Sequence, residues 1–266
     1  VGYNLKWSVS VGTQESIPWQ YNTTSYRRPN ISSITVPSGT LATAGNESVI
    51  LHGSDFGPDI PADYSYLYGY YSNDDLSNLA GFTFTSQRCR ILIPHKSIEC
   101  WSSDGVGFRQ RWWLSVGGQN GTISSATTSY TGPNITNIII PNRTTTYSGI
   151  SEIETYSYSA LSTEGGEIVW LLGSNFGPAL SINVVKATYE NPNLRFLAGR
   201  IFNASECVVI EHHVLIKCSA APGVGHTQRW RAIVGEQIGI RSKTTTSYKA
   251  PTIIGFRKYN NESSWR

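Results

Sequence analysis

The sequence predicts an all-β protein built from two tandem β-sandwiches, with partial repeat strands at both termini. First, residues 53–58 (Gly-Ser-Asp-Phe-Gly-Pro) return almost unchanged as residues 173–178. Second, short segments rich in β-branched and aromatic residues are interrupted by Gly, Pro, Asn and Asp at a spacing of about ten residues, which is typical of antiparallel sandwiches. Third, no segment carries the 3.6-residue apolar stripe of an amphipathic helix.

The repeat also predicts where the domains begin and end. Its closing block, Trp-x-x-x-Val-Gly followed by Thr-Ser-Tyr and then Pro, begins at Trp7, Trp112 and Trp230. The 266-residue chain therefore contains two complete domains, 28–131 and 132–249. Segment 1–27 reads as the C-terminal strands of a preceding repeat, and segment 250–266 as the first strand of a following one. Each complete unit is long enough to bury its own core.

Within each domain the apolar pattern predicts strands in the same order. An opening strand, a strand before the Gly-rich turn and a strand before a later Gly turn begin at Ile31, Ser48 and Trp112 in the first domain and at Ile135, Ile168 and Trp230 in the second. At the Gly-rich turn, glycines flank Phe56 or Phe176, so the chain can bend sharply while the ring closes the end of the sandwich. A phosphate-binding loop is disfavoured, because no Lys follows and no helix pattern begins there.

Each domain carries one pair of cysteines separated by ten residues and flanked by strand-like sequence. We expect disulfides Cys89–Cys100 and Cys207–Cys218, each closing a loop of about 12 residues and contributing roughly 3 kcal/mol in the chain-entropy model. Zinc is the alternative, but the spacing is not that of paired zinc ligands. His212 and His213 lie between the second pair, and we interpret His95 in the first pair as unmatched.

Eight Asn-x-Ser/Thr sequons predict N-linked glycans, more than chance alone accounts for in a chain of this length. Two of them lie at matched positions just before the first strand of each domain. Together with the cysteines they predict an extracellular or cell-surface glycoprotein. The sequon asparagines are Asn22, Asn30, Asn46, Asn120, Asn134, Asn142, Asn203 and Asn261.

Composition argues against several functional classes. The net charge is +3 and charged residues make up 15% of the chain, without a basic cluster, so no nucleic-acid partner is expected. No run of about 18 apolar residues occurs, so no membrane insertion is expected within this segment. The five histidines are scattered and no catalytic motif is present, so we expect no enzyme activity, cofactor or metal.

Two weaker site hypotheses remain beside these expectations. Asp63 and the pair Asp74-Asp75 could bind Ca²⁺ through oxygen ligands, whereas a solvated loop is the simpler interpretation. Trp112 and Trp113 could form a sugar-stacking surface with Arg109 and Arg111. Trp112 is matched in the other repeats and is better explained as structural, whereas Trp113, replaced by Arg231 in the second domain, is the freer candidate for contact with a glycan or another subunit.

The repeats resemble IPT/TIG domains. The resemblance rests on a Pro-Asn-Ile opening (Pro29 and Pro133), the Gly-x-x-Phe-Gly turn, the cysteine pair, a Gly-Val-Gly turn and a closing Ser-Tyr. It covers nearly the whole chain, fragments included. It implies immunoglobulin-like sandwiches of the kind used in extracellular receptors, adhesion proteins and polysaccharide-handling enzymes, and also in some DNA-binding transcription factors. The sequons, cysteines and weak charge argue against the last branch, and fold alone does not settle function.

The terminal segments suggest the function. Neither can bury its apolar side chains alone, since an isolated hairpin is marginally stable at best. Head-to-tail completion of sandwiches between copies would make an extracellular filament or surface fibre, with the chain as its own partner. The alternative is a fragment of a longer tandem-repeat adhesion or receptor ectodomain, with covalent neighbouring repeats and a protein or glycan ligand. The predicted assembly residues are Trp7, Val9, Val11, Trp19, Ile253, Ile254 and Phe256.

Overall fold

A computed structural model describes residues 1–60, 65–77, 79, 81–141, 143–148, 151–156, 160–179, 185–194 and 200–255. The predicted fold class is confirmed: these residues form antiparallel sheets and turns. Over the same ranges there is no helix with the length and apolar character needed to cross a bilayer.

The N-terminal segment and the first domain contain eleven short strands. Their bounds are β1 Ser10–Val11, β2 Gln14–Glu15, β3 Asn30–Thr35, β4 Ser48–Ser54, β5 Leu67–Ser72, β6 Phe84–Thr85, β7 Arg88–Ile93, β8 Ser97–Trp101, β9 Gln110–Val116, β10 Gln119–Asn120 and β11 Thr127–Thr128. Strands β1 and β2 pair with each other within segment 1–27, which we call the N-terminal hairpin. The first domain has one sheet in the order β3-β4-β8-β7 and a second in the order β10-β9-β5-β6, with β11 beside β9.

The second domain repeats this arrangement with an insertion. Its strands are β12 Asn134–Ile139, β13 Arg143–Ser148, β14 Ser151–Tyr156, β15 Ile168–Ser174, β16 Val185–Glu190, β17 Phe202–Asn203, β18 Ser205–Glu211, β19 Leu215–Ser219, β20 Gln228–Val234, β21 Gln237–Ile238 and β22 Thr245–Thr246. The sheets run β12-β15-β19-β18 and β17-β16-β20-β21, with β22 beside β20. Hairpin β13-β14 has no equivalent among the described strands of the first domain, and it lengthens the repeat between the first two core strands.

Each sandwich is built around a buried tryptophan that lies on a tyrosine from the neighbouring strand. Trp112 of β9 stacks on Tyr71 of β5 at a centroid distance of 4.2 Å, and Trp230 stacks on Tyr189 at 4.0 Å. Both indoles are fully buried. A buried indole N–H needs an acceptor; that of Trp112 donates to the Thr128 hydroxyl at 2.9 Å. Along the first part of β9, buried residues alternate with more exposed ones. This alternation sets which face of the strand enters the core.

The two predicted disulfides are present. Cys89 on β7 lies opposite Cys100 on β8 and is bonded to it, and Cys207 is bonded to Cys218 in the second domain. The first bond links β7 to β8, and the second links β18 to β19. In each domain these two strands belong to the sheet that also contains the opening strand, β3 or β12. Disulfides persist in oxidising compartments and are typical of extracellular proteins.

Candidate functional site: the junctions between repeats

Segment 1–27 folds as the closing hairpin of a sandwich. The indole N–H of Trp7 donates to the Thr24 hydroxyl at 2.9 Å, as Trp112 does to Thr128. The backbone N–H of Tyr26 donates to the Gly2 carbonyl at 3.0 Å, matching the 2.9 Å bond from Tyr130 to the Gly107 carbonyl. Segment 1–27 therefore makes the same hydrogen bonds as the closing strands of the complete domains.

The apolar face of this N-terminal hairpin is exposed. Trp7 is 65% exposed, whereas its counterparts Trp112 and Trp230 are 0% exposed. The other predicted assembly residues of the segment, Val9, Val11 and Trp19, are also exposed. Residues that form a core in two copies of the repeat therefore form a surface in the third.

The hairpin is joined to the first domain by a small valine-glycine contact. Val1 and Gly2 lie against Gly117, where an added Cβ would come within 3.0 Å of a Val1 methyl and 3.2 Å of the Gly2 nitrogen. Gly117 has φ +59°, so a larger residue would also be strained there. Next to this contact, the side-chain amide of Gln119 donates to the Tyr26 carbonyl at 2.8 Å.

The first domain is joined to the second in the same way. Val106 and Gly107 lie against Gly235, where an added Cβ would be 2.7 Å from the Gly107 nitrogen. The side-chain amide of Gln237 donates to the Tyr130 carbonyl, again at 2.8 Å. We call the Val-Gly pair the knob and the matching Gly and Gln the socket. Two successive junctions therefore use one geometry, with equivalent residues on both sides.

The knob becomes part of the core it meets. Val106 is 2% exposed and, with Leu76 and Leu79, joins the buried apolar cluster of the second domain. Val1 likewise packs against the buried cluster of the first domain. Two hydrogen bonds frame the larger junction, between Ser77 and Glu236 and, at 3.0 Å, between Thr43 and the His213 ring. Each junction is thus an apolar contact inside a polar rim.

The structure corrects the interpretation of the histidines. His95 and His213 are equivalent: both have positive φ, 64° and 67°, and their backbone N–H groups donate to the carbonyls of Gly57 and Gly177 at 2.8 Å. Their offset of 118 is that of the cysteines, so the sequence itself contains this match. Both lie beside a junction: His213 contacts Thr43, and His95 lines a cleft of about 280 Å³ together with Val1.

We expect mild acid to weaken the junction between the two domains. Burial lowers the pKa of His213; the Asp104 carboxylate opposes this shift, and the neighbouring His212 adds to it. The folded chain therefore binds fewer protons than the unfolded chain, so this contribution to stability is complete above about pH 6.5 and is lost as the pH falls below it. Differential scanning calorimetry between about pH 7.5 and 5.5 should show a falling unfolding midpoint.

His213→Asn is the matched control for this pH effect, because Asn tolerates positive φ and does not titrate. Its midpoint should fall less over the same interval. Equal pH dependence in the variant and the wild type would contradict the role given to His213.

A third knob lies at the far end of the second domain. Tyr248 donates its backbone N–H to the Gly225 carbonyl at 2.9 Å, as in the other two copies, but the adjacent Val224 is 50% exposed. Beyond it, Ile253 and Ile254 are almost fully exposed, whereas Ile135, the counterpart of Ile253, is buried. Phe256 lies outside the described residues.

The described sequon asparagines are accessible. Asn22, Asn30, Asn46, Asn120 and Asn203 are exposed, and Asn134 is half-buried. The Thr122 hydroxyl of the Asn120 sequon donates to the Asn30 side-chain oxygen at 2.8 Å. The sequons of Asn30 and Asn120 are therefore in direct contact. Asn142 and Asn261 lie outside the described residues.

The two described aspartates of the calcium hypothesis have partners within the protein. The Asp74 carboxylate accepts the backbone N–H of Gly81, and Asp75 faces Arg111 at 3.6 Å; Asp63 lies outside the described residues. Across the described ranges no three His, Cys, Asp or Glu side chains are grouped as a metal site. Arg109 lies over the Phe108 ring, and Trp113 stacks on Tyr70.

The fold and the junctions define a tandem β-sandwich protein whose repeats are joined end to end. No family model and no curated protein matches the chain. It is similar to a structure of the plexin A4 extracellular region, with 13% identity over 83% of this chain and 18% of that one, at a TM-score of 0.31. A second plexin A4 extracellular structure aligns at 10% identity over 76% of this chain and 14% of that one, with a TM-score of 0.27.

A further similar structure is SGBP-B from a complex xyloglucan utilization locus in Bacteroides uniformis. It shares 12% identity over 80% of this chain and 48% of that one, with a TM-score of 0.27. In each case the chain spans less than half the length of the protein it matches.

Proposed function

We propose that the chain is a structural subunit of an extracellular, glycosylated filament or surface fibre, assembled head to tail. The observation that carries this proposal is the third knob. Val224 and Gly225 repeat a structure that is seated in a socket at both other junctions, and the N-terminal hairpin carries the corresponding socket residues Gly12 and Gln14. The knob at the C-terminal end of one copy would therefore fit the socket in the N-terminal hairpin of the next copy.

Burial of apolar surface would drive this association. The exposed face of the hairpin includes two tryptophans, and exposed apolar surface contributes about 25 cal/mol for each Å² that is removed from water. Residues 252–255 would add the first strand of the same sandwich, with main-chain hydrogen bonds supplying affinity as in other strand additions. Because the two surfaces differ, the contact is heterologous and propagates as a fibre where its rotation does not close a ring.

Two hairpin residues depart from the pattern of the complete repeats. Ser16 stands where the domains have Gly121 and Gly239, and an added Cβ at either glycine would lie 2.4 Å from the carbonyl oxygen of the proline that opens the domain. Trp19 stands where Ser124 and Ser242 accept a backbone hydrogen bond from the core tryptophan. A sandwich completed on this hairpin therefore differs from a copy of the first domain.

These departures favour the second candidate function, an adhesion or receptor ectodomain fragment of a longer tandem-repeat protein. In that arrangement covalent neighbouring repeats would cover the terminal segments. The knob then meets the next domain of the same polypeptide. Both candidates are string-like, extracellular and non-enzymatic, and both carry N-linked glycans.

Deleting residues 1–26 is the direct test of head-to-tail assembly. We expect the purified chain to form fibres visible by electron microscopy, and the truncated chain to remain a monomer, because it lacks the hairpin and its socket. Both domains should stay folded, since each has its own core. Fibres from the truncated chain would refute assembly through the hairpin, and a wild-type chain that stays monomeric at all concentrations would favour the ectodomain.

Point substitutions locate the contact more finely. Val224→Asp should prevent fibre growth, whereas Val208→Asp, at a valine of equal exposure on β18, should not. Ser16→Gly should strengthen assembly, because it removes the Cβ that would meet the incoming proline carbonyl. Equal effects of the two valine substitutions would exclude the knob as the contact.

A further inference from the structure

Three aromatic side chains form a row on the outer face of the first domain. Tyr68 and Tyr70 lie on β5, and Trp113 lies opposite Tyr70 on β9. The ring centroids are 6.4 Å apart for the two tyrosines and 5.7 Å apart for Tyr70 and Trp113, with interplanar angles of 29° and 22°. Tyr68 is exposed and the other two are half-buried. We call these three residues the aromatic row.

A sequon asparagine lies on the same face of the same sheet. Asn120 on β10 pairs with Ser115 on β9, and Ser115 pairs with Tyr68 on β5. Residues directly opposite one another in a sheet point to the same side. Trp113 is two residues from Ser115 on β9, so it is the diagonal neighbour of Asn120, at a Cα separation of roughly 7–8 Å. The first sugars of a glycan on Asn120 therefore start beside the aromatic row.

The second domain lacks both features. In the same strand registers, the positions of the aromatic row and of Asn120 are occupied by Lys186, Thr188, Arg231 and Ile238. The second domain does carry a sequon on this sheet, at Asn203, but that residue lies opposite Thr188 and next to no aromatic row. The first domain therefore has both the aromatic row and the Asn120 sequon, and the second domain has neither at the equivalent positions.

We propose that the N-linked glycan of Asn120 lies over the aromatic row, with its sugar rings stacked against the exposed aromatic surface. This rests on the proposed glycosylation. One face of a pyranose ring presents C–H groups with partial positive charge, and aromatic faces are electron-rich, so the two attract. The contact also removes aromatic surface from water. It explains why a sheet face of a chain with few charged residues carries three large rings.

Site-resolved deglycosylation of the full chain tests this proposal. The folded protein, secreted from cells that attach N-glycans, is treated with a peptide-N-glycosidase, and glycopeptides are followed by mass spectrometry. We expect the glycan to be released from Asn120 roughly two- to tenfold more slowly than from Asn203. This is the change in rate that one or a few exposed aromatic contacts would produce. Asn203 serves as the internal control because both sites are exposed in one molecule.

Substituting the row with the residues of the second domain should abolish this difference. The variant Tyr68→Lys/Tyr70→Thr/Trp113→Arg uses side chains that the same fold already accepts; should it fail to fold, Tyr68→Lys alone, at an exposed position, must still speed release from Asn120. Equal release from both sites in the wild type, an unchanged ratio in a folded variant, or an Asn120 without glycan would overturn the proposal. Absence of glycan at every sequon would instead refute the proposed glycoprotein, and fibre formation is measured separately.

Discussion

Trp112→Ala is expected to destabilise the first domain by about 3–5 kcal/mol, the usual loss when a buried aromatic side chain is truncated. Its indole is fully buried, stacks on Tyr71 and donates a hydrogen bond to Thr128, so the substitution leaves a large cavity and an unpaired hydroxyl. Calorimetry of the intact chain should show the transition of the first domain shifted to lower temperature. The transition of the second domain should move much less, since its core is built around Trp230.

Trp7→Ala is the matched control for this prediction. Trp7 makes the same indole hydrogen bond in the same hairpin, but its side chain is largely exposed. In the monomer we expect a change within about 0.5 kcal/mol, the usual range for surface substitutions. In the proposed fibres, where the hairpin face would be covered, the same substitution should weaken assembly. A loss of monomer stability comparable to that of Trp112→Ala would show that the hairpin face is already buried.

Removing the disulfide of the first domain with Cys89→Ala/Cys100→Ala is expected to cost roughly 3 kcal/mol, because a loop with a sequence separation of 11 is no longer closed in the unfolded chain. An additional loss should come from packing. Both sulfurs lie within 3.1–3.2 Å of where a Cβ at Gly69 would be, and the Ser86 hydroxyl is 3.1 Å from the Cys89 sulfur. Urea unfolding of the intact chain, followed for each domain, measures the change.

The second domain supplies the comparison for this prediction. Cys207→Ala/Cys218→Ala opens a loop of the same length, but Cys207 is half-buried whereas Cys89 is buried. The chain-entropy contribution should therefore be equal and the total loss smaller. A larger loss in the second domain would contradict this account of the packing contribution.

Much of each domain could be predicted from local sequence. Alternation along β9 and β20 identifies the faces that enter the core, and positive φ at the turn glycines is a local requirement. The cysteine pairing follows from two strand-like segments joined by a short connection. The hairpin of residues 1–27 also follows, since its hydrogen bonds lie within one segment of 27 residues and are repeated in both domains.

The sequence by itself thus determined the all-β class, the repeat and the strands, because side-chain alternation and turn chemistry act over a few residues. Only the tertiary structure decided how one repeat meets the next. Val106 and Gly235 are far apart in the chain, and the contact between them depends on how the end of one sandwich fits the next. The same is true of the aromatic row, since sheet register brings Trp113 beside Tyr70 and places Asn120 on their face.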